Sequence, residues 1–139
     1  MASRTLITTA DFPKSYPFPY VCPTTPKSYL ANNRDTIKRL LMALIEGTHF
    51  FKTRKEESKK ILAKYSRQSN EAYLESAHQT NSKLFERVPF ATREGMDVQI
   101  NEALALARKT GGSVKVDDIV DDRLVVELEK EGFIDRIYK

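Results

Sequence analysis

From about residue 27 onward, apolar residues recur at helical spacing; before that point they do not. Over residues 33–52, Ile37, Leu40, Leu41, Leu44, Ile45 and Phe51 occupy the i, i+3, i+4, i+7 positions of one buried face, with Asn33 placed to cap the start. Gly47 lies inside this span at a cost of roughly 1 kcal/mol relative to alanine, which predicts another element packed close against it. Thr53 and Glu56 have capping-box spacing ahead of a helix to about Ser66, with Ile61, Leu62 and Tyr65 on its apolar side. Ser69 is placed to cap a third helix whose inward residues are Tyr73, Ala77, Leu84 and Phe85. Val88-Pro89-Phe90 breaks the pattern. Thr92 then caps a fourth helix carrying Met96, Ile100, Ala103, Leu104 and Ala107, with Gly111 and Gly112 following Lys109 as its stop. Asp117 and Asp118 open a short helical turn. Asp121 caps the last full helix, with Leu124, Val125 and Leu128 inward and Gly132 as its stop, and Phe133, Ile134, Ile137 and Tyr138 form an apolar tail.

Residues 1–26 differ in kind. They hold five of the six prolines, and proline removes a backbone donor and fixes φ, so helix is disfavoured there. Residues 5–9 and 20–24 suit short strands, with Pro23 keeping the second at an edge or near its end. The expected division is thus a Pro-rich segment with one or two short strands over 1–26 and a helical segment over 27–139.

Composition narrows the class. The 139 residues suffice for one domain with a modest core; 40% are hydrophobic and 30% charged, a globular balance. A net charge of +4 is too weak to imply nucleic acid. The single cysteine, Cys22, excludes an intrachain disulfide; beside Pro23 in an apolar context it reads as a small packing residue. The longest apolar run, residues 40–51, is too short to cross a bilayer. No basic start followed by an apolar block marks a signal peptide within the first twenty residues.

The residues offer little chemistry. His49 and His78 are the only histidines, and no HExxH or CxxC pattern accompanies them, so structural or surface roles are expected and no metal or other cofactor. Asp117, Asp118, Asp121 and Asp122 fail the EF-hand pattern, which places Asp122 and Leu128 where glycine and glutamate are required; helix capping is the expected role. The basic run Lys52, Arg54, Lys55, Lys59 and Lys60 is interrupted by Glu56 and Glu57, and Glu56 with Lys60 forms an i, i+4 pair; a solvated helix face is expected. No nucleophile elbow, P-loop or dinucleotide fingerprint occurs, so no enzyme is indicated. Tyr16, Phe18 and Tyr20 alternate with prolines, as a rigid connector would, or as a segment presenting aromatic faces to a ligand.

Several stretches taken in order carry a resemblance. They are Tyr16-Pro17-Phe18-Pro19 leading into Tyr20-Val21-Cys22, then Ser28-Tyr29-Leu30 through Arg34 to Leu41, then Glu46-Gly47-Thr48-His49-Phe50-Phe51-Lys52-Thr53 with Glu56-Glu57. Val88-Pro89 and a closing segment from Asp121 to Asp135 complete the set. Together they resemble the C-terminal part of ABC transporter solute-binding proteins of the nitrate/sulfonate/taurine and thiamine-pyrimidine-precursor group. The resemblance implies a mainly α portion of a two-lobed α/β periplasmic-binding-protein fold, with the remaining lobe contributed by upstream sequence. It also implies a periplasmic location, a small anionic or heteroaromatic solute and an ABC permease as partners, and residual ligand surface at Tyr16 and Phe18. A second reading, from the residues alone, is a stand-alone helical interaction module whose basic helix near Lys52 to Lys60 contacts an acidic partner. Five amphipathic helices with little visible sheet must pack on each other or leave an apolar face for a partner.

Overall fold

A computed structural model describes residues 22–107 and 114–139. Among these residues there are eight helices and no strand, so the chain is mainly α as the periodicity predicts. The described part of the expected strand at 20–24 is irregular and exposed; Pro23 withholds a ladder donor, and the described residues contain no strand to pair with it. The strand expected at 5–9, together with Tyr16 and Phe18, lies outside the described residues. Two compact units divide the chain; the larger combines Thr25–Pro89 with Arg123–Lys139, and the other contains Phe90–Asp122.

The larger unit begins with α1 (Lys27–Asn32) and α2 (Arg34–Thr53). Asn33 separates them, with φ −133° and ψ 36°. It stands at the N-cap position of α2, but its side chain does not cap that helix. Instead Asn33 Nδ2 donates to the Tyr29 carbonyl at 3.0 Å, closing the end of α1. Next come α3 (Lys55–Ser66) and α4 (Glu71–Leu84), an αα-hairpin turned through Arg67 in the left-handed region at φ 54°. The capping box expected from Thr53 and Glu56 does not form. Thr53 ends α2, and its hydroxyl donates back to the His49 carbonyl at 2.8 Å. The cap expected at Ser69 falls one residue later, where Asn70 Oδ1 accepts from the Tyr73 N–H at 3.0 Å.

The chain then returns with α7 (Arg123–Lys130) and α8 (Phe133–Ile137), separated by Gly132 at φ +68°. Gly132 is the helix stop that the sequence indicates, and its positive φ is the reason for glycine there. Leu41 and Ile45 of α2, Leu124, Val125 and Leu128 of α7, and Phe133 and Ile134 of α8 form one buried cluster. Leu30, Ile37, Met42, Val88, Ile137 and Tyr138 pack around it. The inward positions read from the sequence on α7 are therefore correct, and the apolar tail is a docked helix.

Gly47 departs from expectation. It is exposed, and a Cβ built there meets nothing within 4 Å, so no element packs close against it. Its buried neighbours Leu41 and Ile45 lie round the helix from it, which leaves Leu40, Leu44 and Gly47 on the open side. Gly47→Ala is thus expected to stabilise the protein by about 0.5–1 kcal/mol through helix propensity, read as a higher urea midpoint. An unchanged or lower midpoint would contradict the open environment.

The other unit holds α5 (Arg93–Leu106), which Thr92 precedes as N-cap, and α6 (Val116–Ile119). They bury Ile100 and Val116. Met96 and Leu104 are half-buried, whereas Ala103 and Ala107, expected inward, are exposed. The short helical turn at Asp117 and Asp118 is present as α6, and the Lys115 N–H donates to Asp118 Oδ2 at 2.9 Å. Asp118 thus serves as a capping residue, while Asp117 pairs with Arg93. Gly111 and Gly112 lie outside the described residues.

Candidate functional site

Polar chemistry in the larger unit is concentrated at two helix junctions and one groove. The first junction joins α2 to α7. Glu127 on α7 accepts from Arg34, and Lys38 Nζ reaches Glu127 Oε1 at 2.6 Å and Glu131 Oε1 at 2.7 Å. Arg34 and Lys38 are one turn apart on α2, and Glu127 on α7 is four residues from Glu131 in the turn just after it, so two cations face two carboxylates. The hydrogen bond from Arg34, followed by that from Lys38, holds the Glu127 carboxyl down at about 2, below its ordinary 4.5. Because the folded-state value is depressed, the stabilisation is present above 4.5 and is lost as pH falls toward about 2. Urea unfolding followed by circular dichroism across that interval is expected to show falling stability, with a smaller fall in Glu127→Gln. Identical pH slopes in the two proteins would refute this assignment.

The second junction lies where α3 and α4 meet the end of α2. Lys59 is only 6% exposed, and its ammonium is surrounded by Glu71, Glu75 at 3.3 Å and Glu56 at 3.6 Å. Lys55, one turn earlier, pairs with Glu75 at 2.5 Å. The hydrogen bond with Glu71 outweighs desolvation and raises the Lys59 pKa, while Lys55, ahead of Lys59, lowers that of Glu75. The basic run is the solvated face the sequence suggested at Arg54, Lys55 and Lys60, which are exposed, but not at Lys59, which is buried. Glu56 approaches Lys59 rather than forming the expected pair with Lys60. His78 is also buried; its Nε2 lies 2.8 Å from the Phe51 carbonyl, and its ring stacks on Phe51 with centroids 4.8 Å apart. The structural role expected of His78 is thus realised. Ile61, Tyr65, Tyr73 and Phe85, expected inward, are exposed, although Phe85 still meets the Phe51 ring edge-on at 5.4 Å.

An open groove of about 600 Å³ runs along α2 and α8, lined by Glu46, His49, Phe50, Thr53, Arg54 and Arg136 among others. Its cations have engagements of their own. Arg54 approaches Glu57 at 3.8 Å, and Arg136 donates to the Glu131 carbonyl at 2.8 Å. His49 meets the Tyr138 ring edge-on at 4.9 Å. Arg87 pairs with Asp135 and lies over the Tyr138 ring, and burial pushes the Tyr138 phenol up. The groove offers shape and mixed charge, but no nucleophile with a base and no convergent donors. Among the described residues no group of three or more His, Cys, Asp or Glu side chains is placed to hold a metal ion. No helix among them is long and apolar enough to cross a membrane. Cys22 is exposed, not packed as its apolar neighbours suggested.

Tyr16 and Phe18, the ligand-contact candidates, lie outside the described residues and are not brought to any of these features. The Lys59 cluster was missed by sequence reasoning. Its signal was present: Lys55 and Lys59 are four apart, as are Glu71 and Glu75, on helices joined by a short turn. No protein-family model, curated protein or solved structure matches the chain.

Proposed function

We propose that this chain is the C-terminal helical portion of the solute-binding component of an ABC importer. In its complete two-lobed α/β form, such a protein would capture a small anionic or heteroaromatic solute in the periplasm and deliver it to a permease. One observation carries this reading. Of the separated stretches that bear the resemblance, residues 28–41 and 46–53, and residues 123–135 of the closing segment, belong to the larger helical unit. Arg34 and Lys38 bond Glu127 and Glu131, and Leu41 packs in one cluster with Leu124, Leu128 and Phe133. Leu40 and Leu44 stay exposed one turn apart on α2, which fits helices that expect a further layer.

The competing reading, a helical module that offers a basic helix to an acidic partner, is weakened by the Lys59 cluster. Lys55 and Lys59 already have their carboxylates on α4, so the positive face is partly neutralised from within.

A chimera tests the proposal. The chain would replace the matching C-terminal section of a nitrate-, taurine- or pyrimidine-binding protein, and calorimetry would measure binding of that protein's own solute. Binding at micromolar concentration is expected. A soluble, folded chimera that binds no solute overturns the reading. Tyr16→Ala with Phe18→Ala in the same chimera addresses the contact residues separately, and undiminished affinity would remove them from the cleft.

A further inference from the structure

We propose that the α3–α4 hairpin is an ion-latched flap, which opens from the end of α2 when its carboxylate–ammonium contacts are screened and thereby uncovers Phe51. The first ground is what the flap lacks. The buried apolar cluster of the larger unit draws on α2, α7 and α8 and takes nothing from α3 or α4. The residues that α3 and α4 bury are Ser58, Lys59, Leu74 and His78, of which one is hydrophobic. Ile61, Tyr65 and Tyr73, which would close an ordinary helical hairpin, point outward.

The second ground is what holds the flap in place. Lys59 on α3 meets Glu71 and Glu75 on α4 and Glu56 on its own helix, and Lys55 shares Glu75. The assembly reaches α2 through the Phe51 carbonyl. That carbonyl accepts from Ser58 Oγ at 3.4 Å and lies 2.8 Å from His78 Nε2, and the His78 ring covers Phe51. Cohesion between α3 and α4 is therefore mainly electrostatic, whereas cohesion among α2, α7 and α8 has a full apolar cluster beneath its ion pairs.

These two kinds of cohesion respond differently to salt. The Debye length shrinks from about 30 Å at 0.01 M to about 3 Å at 1 M salt, and apolar burial does not weaken with it. The Lys59 side chain is 8% exposed but that of Glu71 is 73% exposed, so ions reach the latch from its carboxylate side. Once its partners are screened, the Lys59 ammonium is left buried without compensation, and separation of the helices lets water solvate it. Opening of a unit with so little apolar contact is a sub-global event, distinct from unfolding of the core.

Amide hydrogen exchange on the full chain, between about 0.01 M and about 1 M sodium chloride, tests the latch. Residues 55–84 are expected to exchange about tenfold faster at high salt, with residues 123–137 changing by less than about twofold. Lys59→Met removes the buried charge and should abolish the salt response of residues 55–84. Equal salt responses in both segments, or none in residues 55–84, overturn the proposal. So does an undiminished salt response in Lys59→Met. Protection of residues 123–137 in the same measurement reports whether the variant is folded. If it is not, Glu71→Gln replaces it, with faster exchange at low salt and a weaker salt response expected and wild-type behaviour counting against the latch.

Discussion

Leu128→Ala is expected to destabilise the larger unit by about 2–5 kcal/mol. Leu128 is fully buried on α7, in a cluster that joins Leu41 and Ile45 of α2 to Phe133 and Ile134 of α8. Removing its isobutyl group forfeits transfer free energy and leaves a cavity that three helices would have to close together. The ion pairs of Arg34 and Lys38 with Glu127 and Glu131 fix α7 against α2 from either side of Leu128, which limits that collapse and favours the upper part of the range. Urea unfolding followed by circular dichroism measures it. A loss below about 1 kcal/mol would show that the cluster is not the stability centre of the unit.

Ile134→Asp should cost about 3–5 kcal/mol, because it places a carboxylate without a partner in an apolar cluster. Ile134 is 2% exposed, and α8 is a helix of only five residues. The cheaper response for the chain is to release α8 rather than unfold. The expected signature is therefore rapid tryptic cleavage after Arg136, which releases residues 137–139, while α2 stays protected. If Arg136 resists trypsin as in the wild type, α8 is not held by this side chain.

The sequence was legible where apolar side chains do the burying. On α7 the pattern Leu124, Val125, Leu128 and the stop at Gly132 needed nothing beyond periodicity and one glycine with positive φ. It was illegible on α3 and α4, where Ser58, Lys59 and His78 are inside and Ile61, Tyr65 and Tyr73 outside. Hydrophobic periodicity assigns the inner face to the apolar residues by construction, so an interface built from a lysine among carboxylates inverts the reading. Two side-chain caps failed for a related reason: Thr53 and Asn33 have hydroxyl and amide groups suited to caps, yet both spend them on carbonyls of the preceding helix. Gly47 misled because glycine in a helix has two explanations, close packing and simple tolerance, and only the open space around it separates them. As for the candidate site, aromatic residues between prolines suggested ligand contact at Tyr16 and Phe18, but alternation with proline gives no direction for the rings.

Cys22 stands exposed just ahead of α1, and the sequence has no second thiol. Oxidation of these 139 residues alone to a disulfide therefore joins two molecules rather than closing a loop in one. A sample kept without reductant would gain a covalent dimer by this route, and its apparent size in solution would report storage history instead of assembly. The same sulfur gives a maleimide dye a single attachment point, so one label per chain marks the start of the helical region.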